Sequence, residues 1–384
     1  MKQYLFIYFC FAVSQSQGLK SLDPISTIVK QLNEKSIVAF GESHDIEEIY
    51  NFYFSLLENK NFVQIVDDIV LEFANSLYQD LLDDFISGKD ISIEQLSIIW
   101  RNHSNALIQS GDSPLFIELL KRIRSANQNR SGKKQIRALA ADPAIDWQTI
   151  KSAKEFWPWI GRRDRSFLRV IWDDVIDKNR KAFVILGRGH LSRNDPYPAN
   201  YFSLAELLEK RLKHPIYIIH IYTEMKQLEL TNPSLIEIKN SWIGRLRRES
   251  KAKEILYEEQ IDAVLYLGPK PQLHTISQIP FSDADYLAEL DRRSQIVHKQ
   301  PFQLIFSEVL RYKIEQNGLS EAIKFYDEVK NNQQINRYNF QSIFMIDLIN
   351  ELKEKQQNEA AKAVYKIATE QNPNDQLLTN YKFE

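Results

Sequence analysis

Short apolar runs alternate with amphipathic stretches along the first 270 residues of the chain. Six apolar, often β-branched runs are typical of buried strands, and they lie at 36–40, 68–73, 136–143, 182–186, 215–221 and 262–268. Helical patterns lie around and between them, at 24–34, 45–59, 76–125, 147–178 and 203–213. This alternation predicts an α/β fold with a mostly parallel sheet covered by helices on both faces. The long stretch 76–125 is predicted to be an inserted helical segment.

The pattern changes in the last quarter of the chain. Residues 301–371 contain no strand pattern and are predicted to form four helices, with breaks at Gly318, 331–336 and 355–357. The segment 318–326 is weakly similar in sequence to the segment 357–365, and the distance between them is close to the repeat length of tetratricopeptide-type helix pairs.

These patterns predict two regions. An α/β domain over 19–290 is expected to carry an all-α, tetratricopeptide-like appendage over 300–384. The appendage is expected to pack on the main domain. Binding of a protein partner through this helical tail is the alternative.

The N-terminus has the layout of a secretory signal peptide. Lys2 precedes an apolar stretch at 4–13, and small and polar residues follow at 14–18. Residues 1–18 are therefore predicted to be a leader, which implies a periplasmic or secreted protein. The apolar stretch is shorter than the roughly 20 residues that a bilayer-spanning helix needs, and no transmembrane segment is expected. The alternative is an uncleaved, buried N-terminal segment.

Cysteine and charge counts narrow the functional classes. The only cysteine, Cys10, lies in the predicted leader, so cysteine nucleophiles, disulfides and cysteine-based zinc sites are excluded from the mature chain. Lys plus Arg (49) nearly balances Asp plus Glu (51), so no broad field attracts nucleic acid or an anionic membrane, and no nucleic-acid partner is expected. Two short basic runs, 161–165 and 245–248, are of a kind that lies mostly on solvated helix faces.

Polar residues follow four of the predicted strands directly. Two Gly-x-x-His motifs follow the first and fourth runs: Gly41-Glu42-Ser43-His44 and Gly187-Arg188-Gly189-His190. The second run contains Glu72 near its end, and the third ends at Asp142. The carboxyl ends of parallel strands meet at one edge of a sheet, where α/β folds place their ligands. The sequence therefore predicts one site built from these ends.

The predicted catalytic residues are Glu42, His44, Glu72 and His190. An imidazole suits proton transfer at physiological pH, so His44 is a candidate general base that Glu42 could orient. Glu72 stands in an apolar run, where burial raises the proton affinity of a carboxylate unless a cation lies nearby. If a metal is present, His44, Glu72 and His190 are its candidate ligands. The structural alternatives are helix caps for the acids and a plain turn at His190.

Three further residues are predicted to bind substrate: Arg101, Asp142 and Arg188. Arg101 could steer an anionic group or stabilise an oxyanion, and His103, two residues later, is a weaker candidate. The glycines at 187 and 189 lack the third glycine and the Lys-Ser/Thr of a phosphate-binding loop. The chain contains no Gly-x-Ser-x-Gly motif, which argues against a serine hydrolase of that type.

These motifs resemble the erythromycin esterase-like proteins. The resemblance lies in residues 41–44, in Leu-Glu-Phe at 71–73 and in residues 187–190, with Leu-Gly-Pro at 267–269 similar to the end of such a domain. It covers about residues 34–270. The wider group includes the ChaN-type haem-uptake proteins and the TIKI/TraB proteases, and its hallmark is a pair of Gly-x-x-His motifs with glutamates.

The resemblance implies a parallel α/β core with a hydrolytic site. Esterase members open an ester or lactone with a histidine-activated water and no metal, whereas TIKI-type members look metal-dependent. By position, His44 matches the family's first histidine and base, Glu42 and Glu72 match its acids, and His190 matches its second histidine. Arg188 departs from the esterase pattern by placing a bulky cation beside the site, so macrolide specificity does not transfer.

The leading hypothesis is an exported hydrolase that cleaves an ester, lactone or amide in a small-molecule or peptide substrate. In it, Glu42 or Glu72 orients His44, and His190 stabilises the oxyanion or protonates the leaving group. A ChaN-like haem- or iron-binding protein and a metal-dependent TIKI-like peptidase are the alternatives. No cofactor is expected, although a divalent metal or haem would fit the same residues.

Overall fold

The structure is a computed structural model, and it describes residues 19–107, 112–128, 130, 134–194, 202–224, 226–248, 254–270, 273 and 283–381. The predicted leader at 1–18 lies outside the described residues. Within these ranges, every helix is too short or too polar to cross a bilayer.

One eight-stranded sheet forms the centre of the molecule. Its strands are β1 (Ser21–Leu22), β2 (Ile37–Glu42), β3 (Asp68–Asn75), β4 (Arg137–Asp142), β5 (Ala182–Gly187), β6 (Tyr217–Ile221), β7 (Ser234–Glu237) and β10 (Ala263–Tyr266). Their spatial order is β1-β7-β10-β6-β2-β5-β3-β4. The six predicted strands are parallel to one another, and β7 runs antiparallel to both of its neighbours. Two short pairs lie apart from the sheet, β8 (Arg247–Arg248) with β9 (Ile255–Leu256), and β11 (Leu304–Ile305) with β12 (Tyr338–Asn339).

Helices cover both faces of the sheet, as predicted. The helices of this region are α1 (Pro24–Glu34), α2 (Glu47–Glu58), α3 (Lys60–Ile65), α4 (Gln79–Ser87), α5 (Ile93–Arg101), α6 (Pro114–Gln128), α7 (Ala153–Ile160), α8 (Arg163–Ile171), α9 (Leu204–Leu212), α10 (Tyr257–Gln260) and α11 (Ala284–His298). Alternate residues of β2 enter opposite cores: Val38 and Phe40 pack with α1 to α6, and Ile37 and Ala39 pack with α8 and α9. The strands are apolar throughout because both of their faces are covered.

The local sequence sets where several helices begin and end. Asp23 accepts a hydrogen bond from the Ser26 amide, and Pro24 opens α1. Ser92 and Ser203 form capping boxes at the starts of α5 and α9. Gly88 ends α4 with a φ of 110°, a left-handed conformation that glycine adopts freely. The predicted helical insertion is therefore α4, α5 and α6.

The C-terminal region is all-α apart from the short β11–β12 pair and has its own core. Its helices are α12 (Phe306–Asn317), α13 (Leu319–Asn331), α14 (Ser342–Glu354), α15 (Asn358–Gln371) and the short α16 (Gln376–Asn380). The four predicted helices are α12 to α15. A cleft of about 250 Å³ separates this tail from the α/β region, with Ile46 and Lys270 on one side and Arg311 and Glu351 on the other. The tail therefore borders the loop that follows His44.

Candidate functional site

The order of the strands brings the four polar strand ends together. Strands β2, β5, β3 and β4 lie side by side, and Glu42 of β2 is paired in register with Gly187 of β5. His44 follows β2, His190 follows β5, Glu72 lies near the end of β3 and Asp142 ends β4. The site lies at the carboxyl edge of the sheet, where the sequence predicted it.

His44 and Glu42 form a hydrogen-bonded pair. The Nδ1 atom of His44 lies 3.0 Å from Oε1 of Glu42, and the hydroxyl of Tyr53 donates to the other carboxylate oxygen, also at 3.0 Å. Glu42 is buried, whereas 34% of the His44 side chain is exposed. A carboxylate at Nδ1 fixes the N–H on that nitrogen, so Nε2 of the neutral ring is the acceptor.

Negative charges around His44 strengthen its affinity for a proton. Burial alone would lower the pKa of the imidazole, but the hydrogen bond to Glu42 and the charges of Glu72, Glu42 and Asp45 together raise it to about 9. At pH 7 about one ring in a hundred is therefore neutral. The Glu42–His44 pair is a strong base, and the fraction of neutral His44, which can accept a proton, increases as the pH rises.

The reactive nitrogen of His44 faces the backbone of β5. A β-carbon built on Gly187 would lie 3.0 Å from Nε2 of His44 and 3.3 Å from Oε2 of Glu72. A β-carbon at residue 187 would therefore crowd both polar atoms, and the absence of a side chain lets them pack against the backbone of β5.

Glu72 is held as a carboxylate by a cation and a backbone amide. Arg163 donates from Nη2 to Oε1 of Glu72 at 2.6 Å, and the Gly187 amide donates to Oε2. Burial favours the neutral acid, but the charges of Arg163, His190 and His44 and the Gly187 hydrogen bond lower the pKa of Glu72 well below its usual range. The rise in proton affinity predicted for a buried acid is therefore reversed by Arg163.

Arg163 connects Glu72 to Asp142. Its Nε donates to Oδ1 of Asp142 at 3.1 Å, and the backbone N–H and the hydroxyl of Ser104 donate to the same carboxylate at 2.5 and 2.7 Å. Burial raises the pKa of Asp142 to about 6, against the opposing charge of Arg163. Asp142 has no exposed surface. The Asp142 carboxylate is held by Arg163 and Ser104, and substrate binding by Asp142 stays a prediction.

Both ring nitrogens of His190 have neighbours inside the protein. Nδ1 lies 2.9 Å from Oδ1 of Asp164, which also accepts the Leu204 amide, and Nε2 lies 3.4 Å from Nη1 of Arg163. Because a carboxylate can only accept, the Nδ1–H of His190 donates to Asp164. The ring also stands edge-on to Phe167, with centroids 5.0 Å apart. These contacts fix the ring beside Arg163 and Glu72, and a catalytic role for His190 stays a prediction.

The two predicted arginines lie elsewhere. Arg101 pairs with both carboxylate oxygens of Asp112 and with Asp283, and its guanidinium covers the ring of Tyr286 at 4.5 Å. These contacts connect the inserted segment to α11, and substrate binding by Arg101 stays a prediction. Arg188 donates to the hydroxyl of Thr223 at 2.8 Å, beyond the end of β6. Substrate binding by Arg188 stays a prediction.

The described residues contain no group of three or more His, Cys, Asp or Glu side chains placed to hold a metal ion. His44, Glu72 and His190 accordingly do not form the ligand set that the sequence allowed. Nε2 of His190 and Oε1 of Glu72 approach to 3.6 Å, and Arg163 contacts both groups, through Nη1 at 3.4 Å and Nη2 at 2.6 Å.

Sequence reasoning missed three residues that shape the site, Tyr53, Arg163 and Asp164. The run 161–165 was expected on a solvated face, yet Arg163 and Asp164 are buried. Their positions are four and three residues before the buried Phe167, so both are in phase with the apolar stripe of α8. That phase was the available signal, since a charged residue on the buried face of a helix needs a partner inside.

Comparisons with known proteins found only distant similarities, all to solved structures. No protein-family model matches the chain, and no curated protein matches it in sequence. A succinoglycan biosynthesis protein of known structure is 12% identical, with a TM-score of 0.47 over 67% of this chain and 95% of its own. A Bacillus cereus protein of known structure is 12% identical, with a TM-score of 0.43 over 68% and 97% of the two chains. The type III effector HopBA1 is 14% identical, with a TM-score of 0.35 over 66% and 99%.

Proposed function

We propose that this protein is a hydrolase of the erythromycin esterase-like type, which cleaves an ester, lactone or amide. The observation that carries the proposal is the Glu42–His44 pair, whose Nδ1 is fixed by a carboxylate 3.0 Å away, while Nε2 has no hydrogen-bond partner among the described residues and belongs to a side chain that is 34% exposed. A carboxylate–imidazole pair with one open nitrogen is the arrangement that activates a nucleophile in hydrolases.

In the proposed reaction His44 accepts one proton and later donates it. A water oxygen attacks the carbonyl carbon while Nε2 of neutral His44 takes one water proton, and the carbonyl π pair moves onto its oxygen. When the tetrahedral intermediate collapses, the bond to the leaving oxygen or nitrogen breaks, and that atom takes the proton back from His44. Water and ester thus give one acid and one alcohol, and His44 returns to its neutral form.

The buried charges around His44 favour the imidazolium that forms in the first step. Glu42 hydrogen-bonds its Nδ1–H, and the charge of Glu72 adds to the stabilisation. Arg163 keeps Glu72 ionised and in place, so Glu72 orients and stabilises without taking the proton itself. Tyr53 holds the second oxygen of Glu42, which fixes the angle of the pair.

The test is a screen of p-nitrophenyl esters, lactones and peptide amides with the purified protein, run with and without a chelator. His44→Asn should abolish turnover while the protein stays folded, since it removes the only proton acceptor of the mechanism. The matched control is His214→Asn, an exposed histidine remote in the chain, which should keep full activity. Turnover that survives in His44→Asn would refute the proposal, as would a wild-type protein inactive on every substrate.

We also propose export, on the strength of the N-terminal pattern alone. A chain expressed with its native N-terminus should appear outside the cytoplasm and begin near residue 19. N-terminal sequencing of the mature protein decides the point, and a retained Met1 would contradict it.

A further inference from the structure

His103 is a buried histidine with no hydrogen-bond partner among the described residues. Its side chain is 6% exposed, and neither ring nitrogen has a partner in that part of the chain. A buried polar group without a partner destabilises the fold, so its presence calls for an explanation such as a bound ligand.

Its neighbours in the chain fix His103 above the site. The carbonyl of Asn102 accepts from the side-chain amide of Asn75 at 2.8 Å, at the end of β3. Ser104 donates twice to Asp142, at the end of β4. Because the residues on either side of it are bonded at the ends of β3 and β4, His103 lies at the same carboxyl edge of the sheet as Glu72 and Asp142.

The ring is neutral at any pH where the protein would work. Burial lowers the pKa of His103 to about 3, and the positive charges of Arg163 and Arg293 act in the same direction. A neutral imidazole carries one N–H donor and one acceptor nitrogen. His103 therefore offers a hydrogen bond without offering a proton.

The other candidate donors at the site are engaged. Arg163 donates to Glu72 and Asp142 and lies against Nε2 of His190. His190 directs its own N–H at Asp164. The hydrolase mechanism still requires a donor for the oxyanion, and such a donor works best when it is preorganised and shielded from water.

We propose that the ring N–H of His103 is the oxyanion donor of the hydrolytic site, an inference that rests on the proposed function and deepens it. It hydrogen-bonds the carbonyl oxygen of the substrate, and the bond strengthens as that oxygen becomes negative. A neutral donor between buried cations that already have carboxylate partners suits an uncharged carbonyl, so the substrate class is a neutral ester, lactone or amide at the reacting group.

The kinetic test uses His103→Phe and His103→Gln with a p-nitrophenyl ester as the probe. His103→Phe removes an unpaired polar group, so its melting temperature should equal or exceed that of the wild type. Its kcat should fall about 100-fold with KM little changed, because the bond forms fully only in the transition state. His103→Gln keeps an N–H and should retain part of the rate. A folded His103→Phe protein with wild-type kcat would overturn the inference.

A binding test separates this inference from the hydrolase proposal. Butylphosphonate carries the tetrahedral, anionic oxygens of the intermediate and is not hydrolysed. With histidine-labelled protein, its addition should move the His103 ring nitrogen signals in NMR spectra, and His103→Phe should bind it at least tenfold more weakly than wild type. Ester turnover that is insensitive to residue 103 refutes only the oxyanion donor. A wild-type protein that neither cleaves the esters nor binds the phosphonate refutes both proposals.

Discussion

The Nε2 atom of His44 lies 3.0 Å from the point where a β-carbon on Gly187 would stand. The backbone at Gly187 has a φ of −58°, which any residue adopts. Glycine is thus required at position 187 because a larger side chain would clash with the imidazole of His44.

Gly187→Ala should reduce hydrolysis with little change in stability. The new methyl would also meet Oε2 of Glu72 at 3.3 Å, so the imidazole must shift away from its working position. We expect kcat/KM to fall about 100-fold. Gly161→Ala is the matched control, because its β-carbon would meet nothing closer than 3.9 Å. Equal activity of the two variants would contradict the assigned position of Nε2.

The pH dependence of the reaction follows from the raised pKa of His44. The general base must be neutral, and its pKa is about 9 in the folded protein. The value of kcat/KM should therefore rise about tenfold per pH unit from pH 6 and level off above about 9. A pH–rate profile on one ester measures this directly. A rate that falls with rising pH would make His44 the general acid instead.

Glu42→Gln should slow the reaction and shift its pH profile to the acid side. The amide removes the charge that stabilises the imidazolium, so the pKa of His44 falls and the rate levels off at a lower pH. The plateau should drop by about 100-fold or more, because the orientation of the ring is no longer fixed. Glu34→Gln, on an exposed helix end, is the control. An unchanged profile would separate Glu42 from the chemistry.

Arg163→Met should destabilise the fold strongly. It leaves Glu72 and Asp142 as buried carboxylates without their cation, a change that costs about 3–5 kcal/mol. Denaturant unfolding at pH 7 measures the loss, and Arg163→Lys should recover part of it. The control is Arg165→Met: Arg165 lies exposed on the same helix, so its replacement should leave the free energy of unfolding unchanged. If Arg163→Met unfolds like the wild type, the network contributes no stability.

The same network predicts the behaviour of the wild type in acid. The pKa of Glu72 is lower in the folded than in the unfolded protein. Its contribution to stability is present above the unfolded pKa of about 4.3 and is lost as the pH falls below that value. Arg163→Met removes the cause of the lowered pKa, so the variant should lose less stability than the wild type between pH 5 and pH 3.

The hydrophobic pattern of the sequence was sufficient to predict the parallel strands, but it did not reveal the antiparallel strands at one side of the sheet. Strands such as β2 and β5 are buried on both faces, so they appear as uninterrupted apolar runs. Strands β1 and β7 have only two and four residues and pair antiparallel at one side, which leaves no run long enough to detect. The positions of His44, Glu72, His190 and Asp142 followed from the parallel sheet itself.

The roles of the polar residues were harder to predict than their positions. A carboxylate in an apolar run is protonated or ionised according to its partner, and the partner of Glu72 lies 91 residues away. The hydrophobic pattern cannot distinguish a buried arginine from a solvated one unless its phase on the helix is considered, as Arg163 illustrates. His103 likewise depends on what surrounds it, which only the packed structure reveals.

Strand β5 lies between β2 and β3 although it follows both of them in the chain. A nascent polypeptide that has not yet reached residue 187 therefore presents two apolar strand edges with nothing to cover them. During synthesis these edges are open to mispairing, and only the arrival of β5 protects them. Strand β5 both fills that gap and supplies Gly187, whose amide binds Glu72, so we expect a chain truncated before β5 to lack part of the candidate site and to aggregate.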